Sequence, residues 1–191
     1  SALTTTELNK VVKLFYNDIF LMDQNACSSP HIIFWLGAKK RNAKNKFWKL
    51  LEKCAKNNYT IESITTMDKY TRLCKTAIEI NVPINFKNYD NYVYRISLKE
   101  IPSNIDEFRG NCGFIYEHDV SNLDEIIHII NKKYQTMTYF GVDKLLLVEF
   151  VIKNKLIGID RIVPIGKALD IDLIWDGYDI ISSMSRTISY N

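Results

Sequence analysis

The sequence predicts an α/β fold, a mixed or mostly parallel sheet flanked by helices. Three observations carry that expectation. Short apolar runs of strand type alternate with stretches of about 10–15 residues whose apolar positions recur at helical spacing. Pro30, Gly37 and Pro83 fall between these runs, as residues that end or open elements. The chain has 191 residues, 47% of them apolar and 25% charged, so it can bury a sizeable core; no linker-like stretch divides it, which predicts one domain.

Thr4-Thr5-Thr6-Glu7 has the form of a capping box, and Leu8, Val11, Val12, Phe15 and Ile19 continue it as a helix ending near Asp23. Residues 31–36 read as a buried strand broken by Gly37. Phe47, Leu50, Leu51 and Cys54 mark a second helix within 38–58. A third is expected over 67–80, stopped by Pro83. "YVYRISL" (92–98) and "CGFIYEHDV" (112–120) read as strands. Asn122 then caps a helix with Leu123, Ile126, Ile127 and Ile130 on its apolar face. "TMTYFGV" predicts a strand, "DKLLLVEFVIKNKL" a helix opened by Asp143, and "DRIVPIG" a short strand. "WDGYDIISSMSR" reads as a turn into a last helix.

The composition removes several classes of function. A net charge of +3 provides no electrostatic basis for nucleic-acid binding. No apolar run approaches the ~18 residues a membrane span needs, and the N-terminal residues read as a helix start rather than a signal peptide. Cysteines at 27, 54, 74 and 112 form no CxxC pair, which argues against a zinc site or disulfide framework and for a reduced, cytoplasmic chain. Neither G-x-G-x-x-G nor G-x-x-x-x-G-K-[ST] occurs, so the usual phosphate-cradling loops are missing.

Cys27, in "DQNACSSPH", is the residue with most chemical promise. A lone cysteine is commonly a buried small hydrophobe. Here small or polar neighbours (Asn25, Ala26, Ser28, Ser29) leave room around the thiol and let backbone amides approach a substrate oxygen. The position joins a helix to a proline-led strand, a connection where functional residues are displayed. Cys54 and Cys74 read as structural, at or next to the apolar stripes of helices, and Cys112 is open between two glycines. His31, His118 and His128 read as structural or surface residues, with His118 the best placed of the three for catalysis. The run Lys39, Lys40, Arg41, Lys44, Lys46 reads as a solvated helix face that could help draw in a phosphate-bearing ligand.

The helix, polar stretch, cysteine, small residues and strand in "VVKLFYNDIFLMDQNACSSPHIIFWLG" resemble the aldehyde dehydrogenase superfamily at its nucleophile. With "GIDRIVPIGKALDIDLIWDGYDIISSMSR", the chain is similar to one branch, the long-chain fatty acyl-CoA (acyl-protein) reductases of bacterial bioluminescence. The resemblance runs through essentially the whole chain, though 55–105 carries no motif of its own. It implies that residues 1–191 form an aldehyde dehydrogenase-like catalytic domain with Cys27 as the catalytic nucleophile. The family's cofactor-binding domain precedes the nucleophile, and only 26 residues stand before Cys27. The expectation is therefore a catalytic fragment, inactive alone, with Ser1-Ala2 as a cloning scar.

"EFRGN" (107–111) is a looser match to the superfamily's Glu-x-x-Gly segment, which implies contact between Glu107 and the nicotinamide ribose. The implied reaction is NADPH-dependent reduction of a fatty acyl thioester to the aldehyde used by luciferase. The implied partners are an acyl-CoA or acyl-protein donor, with acyl-protein synthetase and acyl-transferase subunits of a fatty acid reductase complex. A reductase acting on a short-chain acyl-CoA or an acyl phosphate, or a non-catalytic α/β interaction module with Cys27 buried, are the alternatives.

Overall fold

A computed structural model describes residues 3–37 and 40–189, the side chains of Lys40 and Arg41 excepted. Ser1-Ala2 and the basic side chains Lys39, Lys40 and Arg41 therefore lie outside the described residues. The elements run α1 (Thr5–Phe20), β1 (Ile32–Leu36), α2 (Lys40–Asn58), α3 (Ser63–Glu79), β2 (Ile84–Tyr89), β3 (Val93–Leu98) and β4 (Phe114–Val120). They continue as β5 (Thr136–Tyr139), α4 (Lys144–Lys153), β6 (Arg161–Pro164), β7 (Ile174–Trp175), β8 (Tyr178–Asp179) and α5 (Ile180–Met184).

The main sheet has the order β1-β4-β3-β2; β4 pairs in parallel with both β1 and β3, and β2 joins antiparallel at the edge. It is a mixed, mostly parallel sheet between helices, in agreement with the expected class. Successive side chains of β4 point to opposite faces. Ile115 joins a cluster with α1 and α2 that contains Phe15, Ile19, Trp48 and Leu51. Phe114 and Tyr116 join a second cluster with Ile96, Phe108, Ile126 and Ile129. β5 and β6 form a separate parallel pair, and β7–β8 a hairpin whose Asp176-Gly177 turn has positive φ at both residues, the geometry of a tight hairpin. Among the described residues no helix is long and apolar enough to cross a membrane.

The predicted α1 cap is present: Glu7 N donates to Thr4 Oγ1 and Thr4 N to Glu7 Oε2. Asp143 likewise caps α4. Four expectations change. Leu123–Ile129 is a 3₁₀ segment rather than an α-helix. Its buried pair is Ile126 and Ile129, whose three-residue spacing is the 3₁₀ period, and its many β-branched residues favour an α-helix less. The helix expected over 67–80 begins at Ser63. Strand β2 is absent from the sequence reading because only Tyr89 of this edge strand is buried, which leaves little hydrophobic signal. Lys44, read as part of a solvated face, is buried and pairs with Asp119 at 2.7 Å.

Candidate active site

Cys27 sits in the connection between α1 and β1, and its side chain is exposed. The chain leaves α1 through Asp23 and Gln24, both at positive φ (51° and 61°), a backbone form costly for residues other than glycine. Tertiary bonds hold it there. The Gln24 amide is 1% exposed, and all its partners are backbone groups around β4 and β1. Its Nε2 donates to Pro30 O (2.8 Å) and Phe114 O (3.0 Å), while its Oε1 accepts from Gly113 N (3.0 Å) and Phe114 N (3.1 Å). Cys112 N donates to Asp23 O at 3.0 Å, and Tyr59 Oη to Asp23 Oδ1 at 2.6 Å.

The 110–113 segment on which this loop rests is itself anchored. Buried Lys69 of α3 donates to the carbonyls of Asn91, Tyr92 and Cys112 at 2.6, 3.0 and 2.7 Å. Gly113, at φ +84°, packs against Tyr92 O and Phe20 so closely that a Cβ would reach the carbonyl at 2.4 Å. The Cys27 loop is thus bolted to the amino ends of β1 and β4.

An open cleft of about 240 Å³ reaches the thiol, lined by Gln24, Asn25, Ala26, Cys27, His31, Arg72, Arg109, Gly110 and Asn111. Gln135, which precedes β5 and does not line the cleft, donates its Nε2 to Cys27 Sγ at 3.5 Å. Two groups orient that amide. Thr136 Oγ1 donates to its Oε1 at 2.8 Å, and the Asp176 carboxylate in the β7–β8 turn accepts from its Nε2. Arg161, which stacks on Trp175 at 4.3 Å and donates to Ala168 O and Asp170 O, fixes the segment carrying Asp176. Among the described residues the backbone amides of Ala26, Cys27 and Ser28 make no hydrogen bond to protein acceptors.

Glu107 is exposed on a 3₁₀ turn (Ile105–Phe108), where its Oε2 accepts from Asn104 Nδ2 at 3.2 Å. It does not line the cleft, although Arg109 and Gly110 of the same segment do. Of the histidines, His118 bonds Leu98 O at 3.0 Å and His128 bonds Ile101 O at 3.4 Å, both away from the cleft. His31, read from sequence as structural or surface, is the histidine beside Cys27. Burial, and next the Arg109 guanidinium, push its pKa down to about 4, so the ring is neutral at pH 7. Cys74 is exposed rather than set by the apolar stripe, Cys54 packs against the α1–α2 cluster, and burial pushes the Cys112 thiol up. Among the described residues no group of three His, Cys, Asp or Glu side chains could hold a metal ion.

Sequence reasoning missed Gln135, Asp176, His31, Arg72 and Arg109. His31, Arg109 and Asp176 lie within stretches noted for other residues, and Gln135 lies 108 residues from its sulfur contact. No curated protein matches the sequence significantly. A family model described as acyl-CoA reductase (LuxC) matches residues 4–187, and the chain therefore belongs to this family of acyl-CoA reductases, oxidoreductases that supply aldehyde for luminescence.

Proposed function

We propose that Cys27 is the acyl-carrying nucleophile of an NADPH-dependent reductase that turns a long-chain fatty acyl thioester into the aldehyde. The observation that carries this reading is an exposed sulfur, at the mouth of a cleft, meeting an oriented amide donor. A non-catalytic module with a buried Cys27 does not suit that exposure.

The Gln135 N–H points at the sulfur and holds it at the mouth of the cleft. The thiolate attacks the acyl carbonyl, the C–S bond to the donor breaks, and an acyl-enzyme thioester forms on Cys27. The backbone amides of residues 26–28, which make no hydrogen bond to described protein acceptors, are the donors available to the tetrahedral oxyanion. NADPH, when bound, supplies the hydride. After reduction the thiohemiacetal collapses, the C–S bonding pair returns to the Cys27 sulfur, and the aldehyde leaves. No water is activated in this sequence, so a strong general base is not required.

Glu107 fits a place in nicotinamide ribose binding: it is exposed, its carboxylate's one hydrogen bond among the described residues is a long one from Asn104, and it shares a segment with cleft residues. The acyl donor is a coenzyme A thioester or an acylated partner of a fatty acid reductase complex, such as an acyl-protein synthetase. A reduced cytoplasmic setting suits a mechanism that depends on a free thiol.

The test is acylation of the purified protein with a radiolabelled long-chain acyl-CoA. Label should be retained on the wild-type protein and fall below detection in Cys27→Ser. Retained label in that variant would move the nucleophile elsewhere.

A further inference from the structure

The cleft beside Cys27 gathers positive charge without a matching carboxylate. Arg72, on the exposed side of α3, and Arg109, ahead of β4, both line it. Arg72 Nη1 donates to Arg109 O at 2.6 Å, and Arg109 Nη2 to Lys133 O at 2.6 Å. Those bonds hold the two side chains in place through neutral carbonyls and leave the rest of each fork of N–H donors unused. None of the ion pairs among the described residues includes either guanidinium. Asp106, which lies near Tyr134 together with Arg109, is already engaged by Lys133 at 2.5 Å.

A third group in the same cleft is incompletely satisfied, although the Gly110 backbone engages the His31 ring. His31 Nδ1 is buried and makes no hydrogen bond among the described residues. A buried polar atom left unpaired costs on the order of 1–3 kcal/mol, which a ligand can recover. Arg109 and Arg72 both disfavour the charged form of this ring, which places it in a positive field. Two positioned planar guanidiniums and an imidazole nitrogen around one opening match the several acceptor oxygens of a tetrahedral phosphate group.

We propose that Arg72, Arg109 and His31 form an anion subsite that holds a phosphate group of a nucleotide-bearing ligand next to Cys27. That the ligand serves the reductase reaction rests on the function proposed above. Two sources share this chemistry: the coenzyme A part of the acyl donor, and the 2′-phosphate or pyrophosphate of NADPH.

Calorimetric titration of the purified protein with inorganic pyrophosphate at low salt tests the subsite. Saturable binding is expected, weakened at least about tenfold in Arg72→Gln and in Arg109→Gln. Exchange of exposed Lys53 for Gln should leave it unchanged. Equal affinity in the arginine variants, or no saturable heat with the wild type, would overturn the proposal. Because Arg72 is exposed, Arg72→Gln carries the test if Arg109→Gln does not fold. Displacement of pyrophosphate by adenosine 3′,5′-bisphosphate assigns the acyl donor, and displacement by adenosine 2′,5′-bisphosphate assigns NADPH. Displacement by neither counts against a nucleotide subsite. The heats do not require a thiol, so Cys27→Ser should bind pyrophosphate as the wild type does. A missing acyl-enzyme would then sink the nucleophile while leaving this result standing.

Discussion

Strand β4 passes through two polar regions that treat charge in opposite ways. Midway along it, fully buried Glu117 accepts from Trp35 Nε1 and Trp48 Nε1 (both 2.9 Å), Arg95 Nε (2.8 Å) and Ser97 Oγ (2.6 Å), with Lys44 at 3.5 Å. The Arg95 pair closes at 2.6 Å, and these partners hold the carboxyl below its usual range against the opposing effect of burial. At the amino end, beside Cys27, Arg72 and Arg109 donate to backbone carbonyls, Arg109 also lies over the Tyr134 ring, and among the described residues His31 Nδ1 makes no hydrogen bond. The Glu117 network ties β1, β3 and α2 to β4 with its bonding capacity filled; the cleft keeps capacity in reserve. A saturated polar group stabilises one arrangement of the chain, whereas donors without acceptors are what a ligand can use.

Three substitutions sharpen the contrast, the largest effect first. Glu117→Gln should lower stability by about 3–5 kcal/mol, since it leaves Arg95 buried without a countercharge while Lys44 keeps only Asp119. Urea unfolding followed by circular dichroism measures it; a change under about 1 kcal/mol would show that the network is not what joins these strands. Gln24→Ala removes the amide that satisfies four backbone groups around the Cys27 loop. A loss of about 2–3 kcal/mol is expected. The rate of Cys27 alkylation by iodoacetamide should fall with it. An unaltered alkylation rate would separate loop geometry from Gln24.

The last effect is a pH dependence, spread over more than two pH units. His31 has a folded pKa of about 4, below its ordinary 6.5. Between these values the unfolded chain binds more protons than the folded one, so stability rises with pH across this window and is lost as pH falls toward 4. His31→Gln should flatten the slope by up to about 1.4 kcal/mol per pH unit between pH 4 and 6.5. Asp18 opposes that trend in both proteins. Burial, partly offset by its bonds from Gly166 N and Ala168 N, raises its pKa to about 6, so its contribution falls as pH rises from 3.8 to 6. Identical slopes for wild type and variant would mean that His31 titrates normally.

Much of the fold was legible because local patterns report local structure. The Thr4 capping box, the apolar spacing of α1 and α2, the strands around Phe34, Ile96 and Tyr116, and Asp143 ahead of α4 each depend on residues a few positions apart. The failures were local signals that tertiary context outweighed. Lys44 looked solvated until Glu117 and Asp119 met it, and β2 lacked a buried face to announce it.

The sequence alone determined the α/β class, the helix-to-strand setting of Cys27 and the small residues that leave it room. Tertiary structure decided what surrounds that sulfur. His31 is a near neighbour in sequence, but Gln135, Asp176, Arg72 and Arg109 come from distant segments, and for Arg109 the parallel pairing of β1 with β4 brings residues near 27 and 110 to one end of the sheet. Side-chain periodicity encodes which face of an element is buried, but not which remote donors meet at its end.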